Sequence, residues 1–590
     1  MQKMAPNALD GLVARGGSAD AAVASAAQDQ YRWLEDVGGE RALDWVRAHN
    51  AVAEGELGAG PGYAGLRARL KAILDSKERI PYASLHAGHL YNFWRDAEHP
   101  RGVWRRTTLE QYRTVSPAWE TVLDLDRLAR DEGENWVWAG ARCLKPRGDR
   151  CLVSLSRGGG DAHVVREFDL GSCAFVADGF VLPEAKGSAA WIDRDRLFVA
   201  TDFGPGSLTA SGYPRVVKEW RRGTPLAQAS LVYEALANDL SASAHKDFTP
   251  GFEREFVERQ IDFYSSELFV REGGRLARVP KPLDANGYTV RDQLVIELRS
   301  DWAVDGATWP QGSLLAIDFE SFMQGARGFE VLFAPSPTTS LDGVAATRGA
   351  LLLTVLDKVR NRVVELTHGG GAWRRREVAA PDMGALDVWA VDEMGSDQYF
   401  LSVTGFVEPT TLYLGQAGSD ARERLKAMPA FFDASPFTVS QFEARSQDGT
   451  PAPYFVVMSR HAKFDGTNPA ILYGYGGFEV SMKPSYSGVT GAAWLEHGGV
   501  YVLANIRGGG EFGPRWHQAA LKEHRQRAFD DFIAVAQDLI ERKLTSPRHL
   551  GIMGGSNGGL LVGAAMTQRP DLFNAVVCQV PLLDMRRYHQ

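Results

Sequence analysis

The stretch His549-Leu-Gly-Ile-Met-Gly-Gly-Ser-Asn-Gly-Gly-Leu-Leu-Val-Gly-Ala-Ala-Met566 decides the fold. An apolar strand ending at Met553 runs into Gly554-Gly555-Ser556-Asn557-Gly558-Gly559 and leaves through Leu560–Met566, an apolar run compatible with a helix. A serine so placed sits on a strained strand-to-helix turn, and Gly554 and Gly558 remove side chains that would collide as the chain doubles back. This is the pattern of a nucleophile elbow. The following amide, that of Asn557, and the helix N-terminus then face any carbonyl under attack and stabilise its developing negative charge. Two plainer readings stay open: a glycine-rich turn that packs a helix on a sheet, and a phosphate cradle. The cradle is the weaker, since Leu560-Leu561 stand where a P-loop needs Lys-Ser/Thr.

Working upstream, Tyr454–Met458, Ala470–Tyr473, Val500–Ala504 and, beyond the elbow, Ala575–Val580 read as buried strands, some in the near-continuous apolar style of parallel sheets. Phe529, Phe532, Ile533, Ala536, Leu539 and Ile540 keep a helical spacing, so an α/β domain begins near Met428-Pro429. Two of its strands end in glycine-rich loops. Leu472-Tyr473-Gly474-Tyr475-Gly476-Gly477-Phe478 occupies the loop that supplies a second oxyanion donor in α/β-hydrolases, with a tyrosine hydroxyl also on offer; an aromatic turn capping the core is the rival. Asn505-Ile506-Arg507-Gly508-Gly509-Gly510-Glu511-Phe512-Gly513 is either a functional rim or a flexible loop, and Arg507 and Glu511 read equally well as a structural ion pair.

Before this domain the texture is different. The first 80 residues are helical, with Ala42, Leu43 and Val46 on one face and Leu66, Leu70, Ile73 and Leu74 on another. From Ile80-Pro81 onward short alternating or β-branched runs take over, many paired as strand, turn, strand, as in Leu351–Leu356 and Val363–Leu366 across Asp357-Lys358. Recurring hairpins suit a propeller, in which blades of about four strands pack radially. A long sandwich or two barrels fit the spacing as well, and no WD-type repeat signature is present.

A chain of 590 residues with 44% hydrophobic and 10% aromatic residues buries more than one core. The formal charge of −8 arises from 65 basic and 73 acidic residues that are interspersed, so no basic face invites nucleic acid. Cys143, Cys151, Cys173 and Cys578 contain no C-x-x-C pair and are expected to be buried apolar residues or inert thiols, not a disulfide scaffold or a zinc site. In the alanine-rich start, Asp10, Gly11, Arg15, Gly16 and Gly17 interrupt every apolar run, leaving no signal-peptide core. The expected compartment is cytoplasmic, or periplasmic or secreted if a signal has been removed. No run approaches the roughly 18 to 20 apolar residues of a membrane span.

Tyr473-Gly-Tyr-Gly-Gly-Phe478, Asn505-Ile-Arg-Gly-Gly-Gly-Glu511, Phe529-Asp530-Asp531-Phe532, Thr545-Ser546-Pro547 and Gly554-Gly-Ser-Asn-Gly-Gly559, in this order and spacing, resemble the prolyl oligopeptidase family of serine peptidases. Tyr31-Arg-Trp-Leu-Glu-Asp36 resembles that family's opening motif, with Gln30 where proline is common. The resemblance implies an α/β-hydrolase catalytic domain with an inserted seven-bladed β-propeller. Residues 1–80 are then a helical segment packing on the catalytic domain, 81–430 the propeller, and 431–590 an incomplete catalytic domain. Position by position, Ser556 resembles the nucleophile, Asn557 the backbone oxyanion donor and Tyr475 the hydroxyl oxyanion donor, while Phe478 and Leu582 fall where the family lines its proline pocket. Asn557 and the Tyr-Gly-Tyr-Gly-Gly pattern favour the proline-specific branch. A flat apolar pocket suits a pyrrolidine ring, and these motifs carry no acid that would pair with a basic side chain.

A serine nucleophile needs a base, and the base an orienting carboxylate, in the chain order Ser, acid, His. Asp571, in Arg569-Pro570-Asp571-Leu572, reads as a turn cap. Asp584 and His589 are poor candidates, because five residues leave no loop to bring the histidine back over Ser556. By resemblance the acid and the histidine are expected beyond residue 590, which predicts negligible activity for a protein ending there. The expected partners are short proline-containing peptides, hydrolysed through an acyl-enzyme by a monomer, with no metal, organic cofactor, nucleic acid or membrane. The alternatives are a related oligopeptidase of basic or dipeptidyl specificity, and a non-catalytic propeller scaffold that binds peptides.

Overall fold

The computed structural model describes residues 29–380, 384–585 and 587. It divides into two compact units, residues 1–72 and 73–590. The first unit carries helix α1 (Glu40–Leu57), which buries Ala42 and ends on Gly58, and all but the last two residues of α2 (Tyr63–Leu74).

In the second unit, seven antiparallel sheets follow one another at residues 84–124, 136–185, 188–234, 241–278, 286–333, 339–378 and 385–427. Each is built from strands consecutive in sequence. Val181–Ala185 adds a strand to the second, and a two-stranded hairpin at 302–309 is inserted in the fifth. The hairpin read from the sequence is present, with Leu351–Asp357 paired to Arg360–Gly369. Leu351 to Leu356 are all buried. A half-buried strand alternates, so continuous burial means that both faces of the sheet are covered, as they are when blades stack side by side.

Each seam between neighbouring blades holds its own apolar cluster. Leu314, Leu332, Leu353 and Val364 fill the fifth seam, while Leu90 and Tyr112 of the first blade meet Phe400, Leu412 and Leu414 of the seventh. The ring therefore closes by packing, with no strand exchanged between first and last blade among the described residues. A sandwich would have one such seam, so this arrangement settles the sequence ambiguity in favour of a seven-bladed propeller.

After the propeller, six strands form one sheet: β1 (Phe437–Arg445), β2 (Pro451–Ser459), β3 (Ala470–Tyr473), β4 (Val500–Ala504), β5 (Leu550–Gly555) and β6 (Ala575–Gln579). Their spatial order is β1-β2-β4-β3-β5-β6, antiparallel through β4 and parallel from β4 to β6. Helices α3 (Gln526–Glu541) and α4 (Asn557–Gln568) cover it, and Phe532, Val535 and Leu561 pack on Leu472, Val502 and Ile552 in one core. This is the α/β-hydrolase arrangement. The order reverses around β3, and in such sheets ligands bind in the crevice beyond the carboxyl ends of the strands at the reversal.

The cysteine expectation is corrected. Cys143 and Cys151 form a disulfide, whereas Cys173 and Cys578 are free. The two half-cystines lie directly opposite each other on adjacent antiparallel strands of the second blade, a pairing created by hairpin register and invisible to motif spacing. Among the described residues no helix is long and apolar enough to cross a membrane.

Candidate active site

β3 and β5 are parallel neighbours, with Tyr473 opposite Met553. Their carboxyl ends deliver the Tyr473–Phe478 loop and Ser556 to the same edge of the sheet. Ser556 has φ 55° and ψ −115°, a conformation that a non-glycine residue keeps only where its surroundings impose it. The imposing contacts are close. A Cβ on Gly554 would stand 2.2 Å from the Gly558 carbonyl oxygen, and one on Gly558 would stand 2.6 Å from that of Gly474. The Ser556 amide donates to the Gln579 carbonyl at 3.0 Å. Ser556 thus caps α4, whose first amides and positive dipole end point into the crevice.

Asn557 ties the elbow to the other loop. Its Nδ2 donates to the Tyr475 carbonyl at 2.5 Å, and its Oδ1 accepts from Arg525 at 3.2 Å. Arg525 also donates to the Gly476 carbonyl at 2.5 Å. One arginine therefore fixes both loops, although no motif in the sequence singles it out. Phe478 is 43% exposed and packs edge-on against Phe263 of the fourth blade, ring centroids 5.5 Å apart. Leu582 follows β6 on the segment whose Pro581 lies against Gly559 of the elbow.

The Arg507-Glu511 ion pair suggested by the sequence does not form. Arg507 instead grips Asp531 of α3, Asp448 and Ser446, and its backbone amide donates to Asp531 at 3.0 Å. The arginine holds the Asp448 carboxyl well below the usual carboxylate range. Glu511 is fully enclosed and takes its hydrogen bonds from the Met482 amide, at 2.9 Å, and the Asn505 side chain, at 3.3 Å. Burial pushes its carboxyl up to about 7. His517, also fully enclosed, accepts from Arg299 at Nδ1 and lies 3.1 Å from the Tyr264 hydroxyl through Nε2. Burial, with Arg299 and Arg525 nearby, pushes the imidazole down to about 4, so it is neutral.

Asp571 is paired with Arg569 at 2.7 Å and Asp584 with Arg587 at 3.0 Å. His589 lies outside the described residues. Among the described residues, no side chain hydrogen-bonds the Ser556 hydroxyl.

Residues 14–428 match the family described as "Prolyl oligopeptidase, N-terminal beta-propeller domain", and residues 484–590 match "Prolyl oligopeptidase family". The chain belongs to the prolyl oligopeptidase family. An uncharacterized peptidase of Sinorhizobium fredii is 44% identical over 571 residues, covering 95% of this chain and 78% of that protein. The prolyl endopeptidase of Elizabethkingia miricola is 38% identical over 215 residues, which is 36% of this chain and 30% of that enzyme. A solved structure of a post-proline cleaving enzyme from Rickettsia typhi superimposes with a TM-score of 0.88 at 33% identity, covering 95% of this chain and 84% of that one. As a prolyl oligopeptidase family peptidase, the chain carries the elbow and the Tyr475 loop on the catalytic sheet, with the propeller aromatic Phe263 against Phe478.

Proposed function

We propose that this peptidase cleaves short peptides on the carboxyl side of proline, with Ser556 as the nucleophile that forms the acyl-enzyme. The observation that carries the reading is the left-handed Ser556 at the head of α4, joined through the Asn557 side chain to the Tyr475 loop. In this reading the Asn557 amide and the Tyr475 hydroxyl stabilise the oxyanion as the Ser556 oxygen bonds to the substrate carbonyl carbon. The apolar ring of Phe478, with Leu582, forms the floor on which a pyrrolidine ring rests. The base and its carboxylate come from outside the described residues.

The test uses the intact protein and fluorogenic peptides that differ only in Pro, Arg or Ala before the scissile bond. Proline is expected to give the highest kcat/KM, and Ser556→Ala to abolish both hydrolysis and labelling by a fluorophosphonate. Preference for arginine would move the enzyme to the basic branch, and labelling that survives Ser556→Ala would remove the serine from its role.

A further inference from the structure

Phe478 and Glu479 have φ of 53° and 59°. Two successive non-glycine residues in the left-handed region persist only where contacts over-determine them. The backbone is held from the catalytic side: the Glu479 amide donates to the Gly508 carbonyl at 3.2 Å, and the Val480 amide to that of Gly477 at 3.0 Å. Both side chains are held from the propeller. Phe263 of the fourth blade packs on Phe478. Arg299, just past the strand Gln293–Glu297 of the fifth blade, makes an ion pair with Glu479 in which both side chains are largely buried, 13% and 18% exposed.

Arg299 is itself fixed. Its guanidinium stacks on the Tyr264 ring at 4.2 Å and donates to His517 at 3.2 Å. Glu479 and Arg299 both line a cavity of about 780 Å³, together with Ser481, Lys483, Asp342 and Trp516. The turn therefore has open space to relax into, and the ion pair with Arg299 is the charge contact that holds it in place. Three residues before Phe478 stands Tyr475.

We infer that Arg299 is a positioning residue for peptide hydrolysis: by clamping Glu479 it keeps the Phe478–Glu479 turn left-handed, and so holds the Phe478 ring and the Tyr475 loop in register with Ser556. The inference rests on the function proposed above. It places a requirement for the propeller inside the geometry of the catalytic loops, through one ion pair. Strain is what makes the clamp necessary, so a residue that takes the left-handed conformation without strain removes the need for it. Glycine at position 479 is such a residue.

The experiment compares R299M, R299K, E479G and the double variants R299M/E479G and R299M/E479Q in the intact protein, with a fluorogenic peptide bearing proline before the scissile bond. R299M is expected to lower kcat at least tenfold while KM changes less than threefold. R299K, which keeps the charge, restores most of the loss. R299M/E479G is expected to recover kcat to within about threefold of the parent, whereas R299M/E479Q, which removes the same unpaired charge but keeps a side chain in the left-handed turn, is expected to stay impaired; equal recovery in both would reduce the pair to a structural one and overturn the inference. An unimpaired R299M, or an R299M/E479G no better than R299M, overturns the inference. If R299M does not fold, the kcat of R299M/E479G and R299K decides in the same way. Loss of hydrolysis in Ser556→Ala alongside an unimpaired R299M would sink this inference alone, whereas hydrolysis that survives Ser556→Ala would sink the reading beneath it.

Discussion

The propeller seams and the loops at the carboxyl edge of the catalytic sheet bury similar depths of structure with opposite chemistry. In the fifth seam Leu314, Leu353 and Val364 are 0 to 2% exposed and belong to one apolar cluster. At the sheet edge Arg507, Glu511, His517 and Asp531 are 0 to 4% exposed, and every one of them is titratable or charged. An apolar seam depends on volume and tolerates exchange of one hydrocarbon for another. A buried charge depends on each partner being present, because a partner removed leaves the other without water or counter-charge. The apolar seams of the propeller are thus tolerant in sequence and the catalytic edge is not.

The largest expected effect tests that contrast directly. Arg507→Met leaves Asp531 fully buried without its partner, and removal of one member of a buried pair costs about 3 to 5 kcal/mol. Replacing both, as Arg507→Met with Asp531→Leu, should recover most of the loss, since apolar side chains of similar volume often match a buried pair. Urea unfolding of the two variants measures the difference. Equal destabilisation would show that the charge itself, and not its pairing, holds the edge.

Glu511 sharpens the contrast through pH. Its carboxyl is raised from 4.5 to about 7 by burial, so between these values the folded protein holds a proton that the unfolded chain has released. Stability contributed by the protonated form is complete below about 4.5 and is lost as pH rises through 7, by on the order of 3 kcal/mol. Glu511→Gln keeps an acceptor for the Met482 amide and cannot ionise. Its thermal midpoint should fall less than that of the parent between pH 5 and pH 8; parallel curves would assign the pH dependence to another group.

This contrast also explains what the sequence disclosed. The elbow, the Tyr475 loop and the strand-helix alternation around them were legible because their glycines and apolar runs are local. The propeller was legible as hairpins, but its closure was not, because Leu90 and Phe400 are joined only in space. The sequence offers Arg507 and Glu511 as a possible pair because they share a loop, whereas Arg507's partners Asp448 and Asp531 sit 59 and 24 residues away. Arg525 and Arg299 escaped for the same reason: nothing local distinguishes a buried arginine from a solvated one. The Cys143-Cys151 pair depends on strand register, which spacing does not reveal.

The smallest expected effect lies where the ring closes. At this seam Leu90 is fully buried among Tyr112, Phe400 and Leu414, and Arg113 pairs with Glu423 at 2.9 Å with side chains 41% and 44% exposed. If apolar packing shuts the ring, Leu90→Ala should cost about 2 to 5 kcal/mol, like any well-packed core leucine. Arg113→Gln should cost only about 0.2 to 1 kcal/mol, the range for exposed pairs. Raising the salt to about 1 M shortens the screening length to roughly 3 Å and should leave the Leu90→Ala deficit unchanged. With no strand shared between the first and seventh blades, an Arg113→Gln variant as unstable as Leu90→Ala would mean that charge, and not hydrocarbon, keeps the propeller closed, and the division drawn between the two regions would fail at the seam where the propeller has least else to hold it.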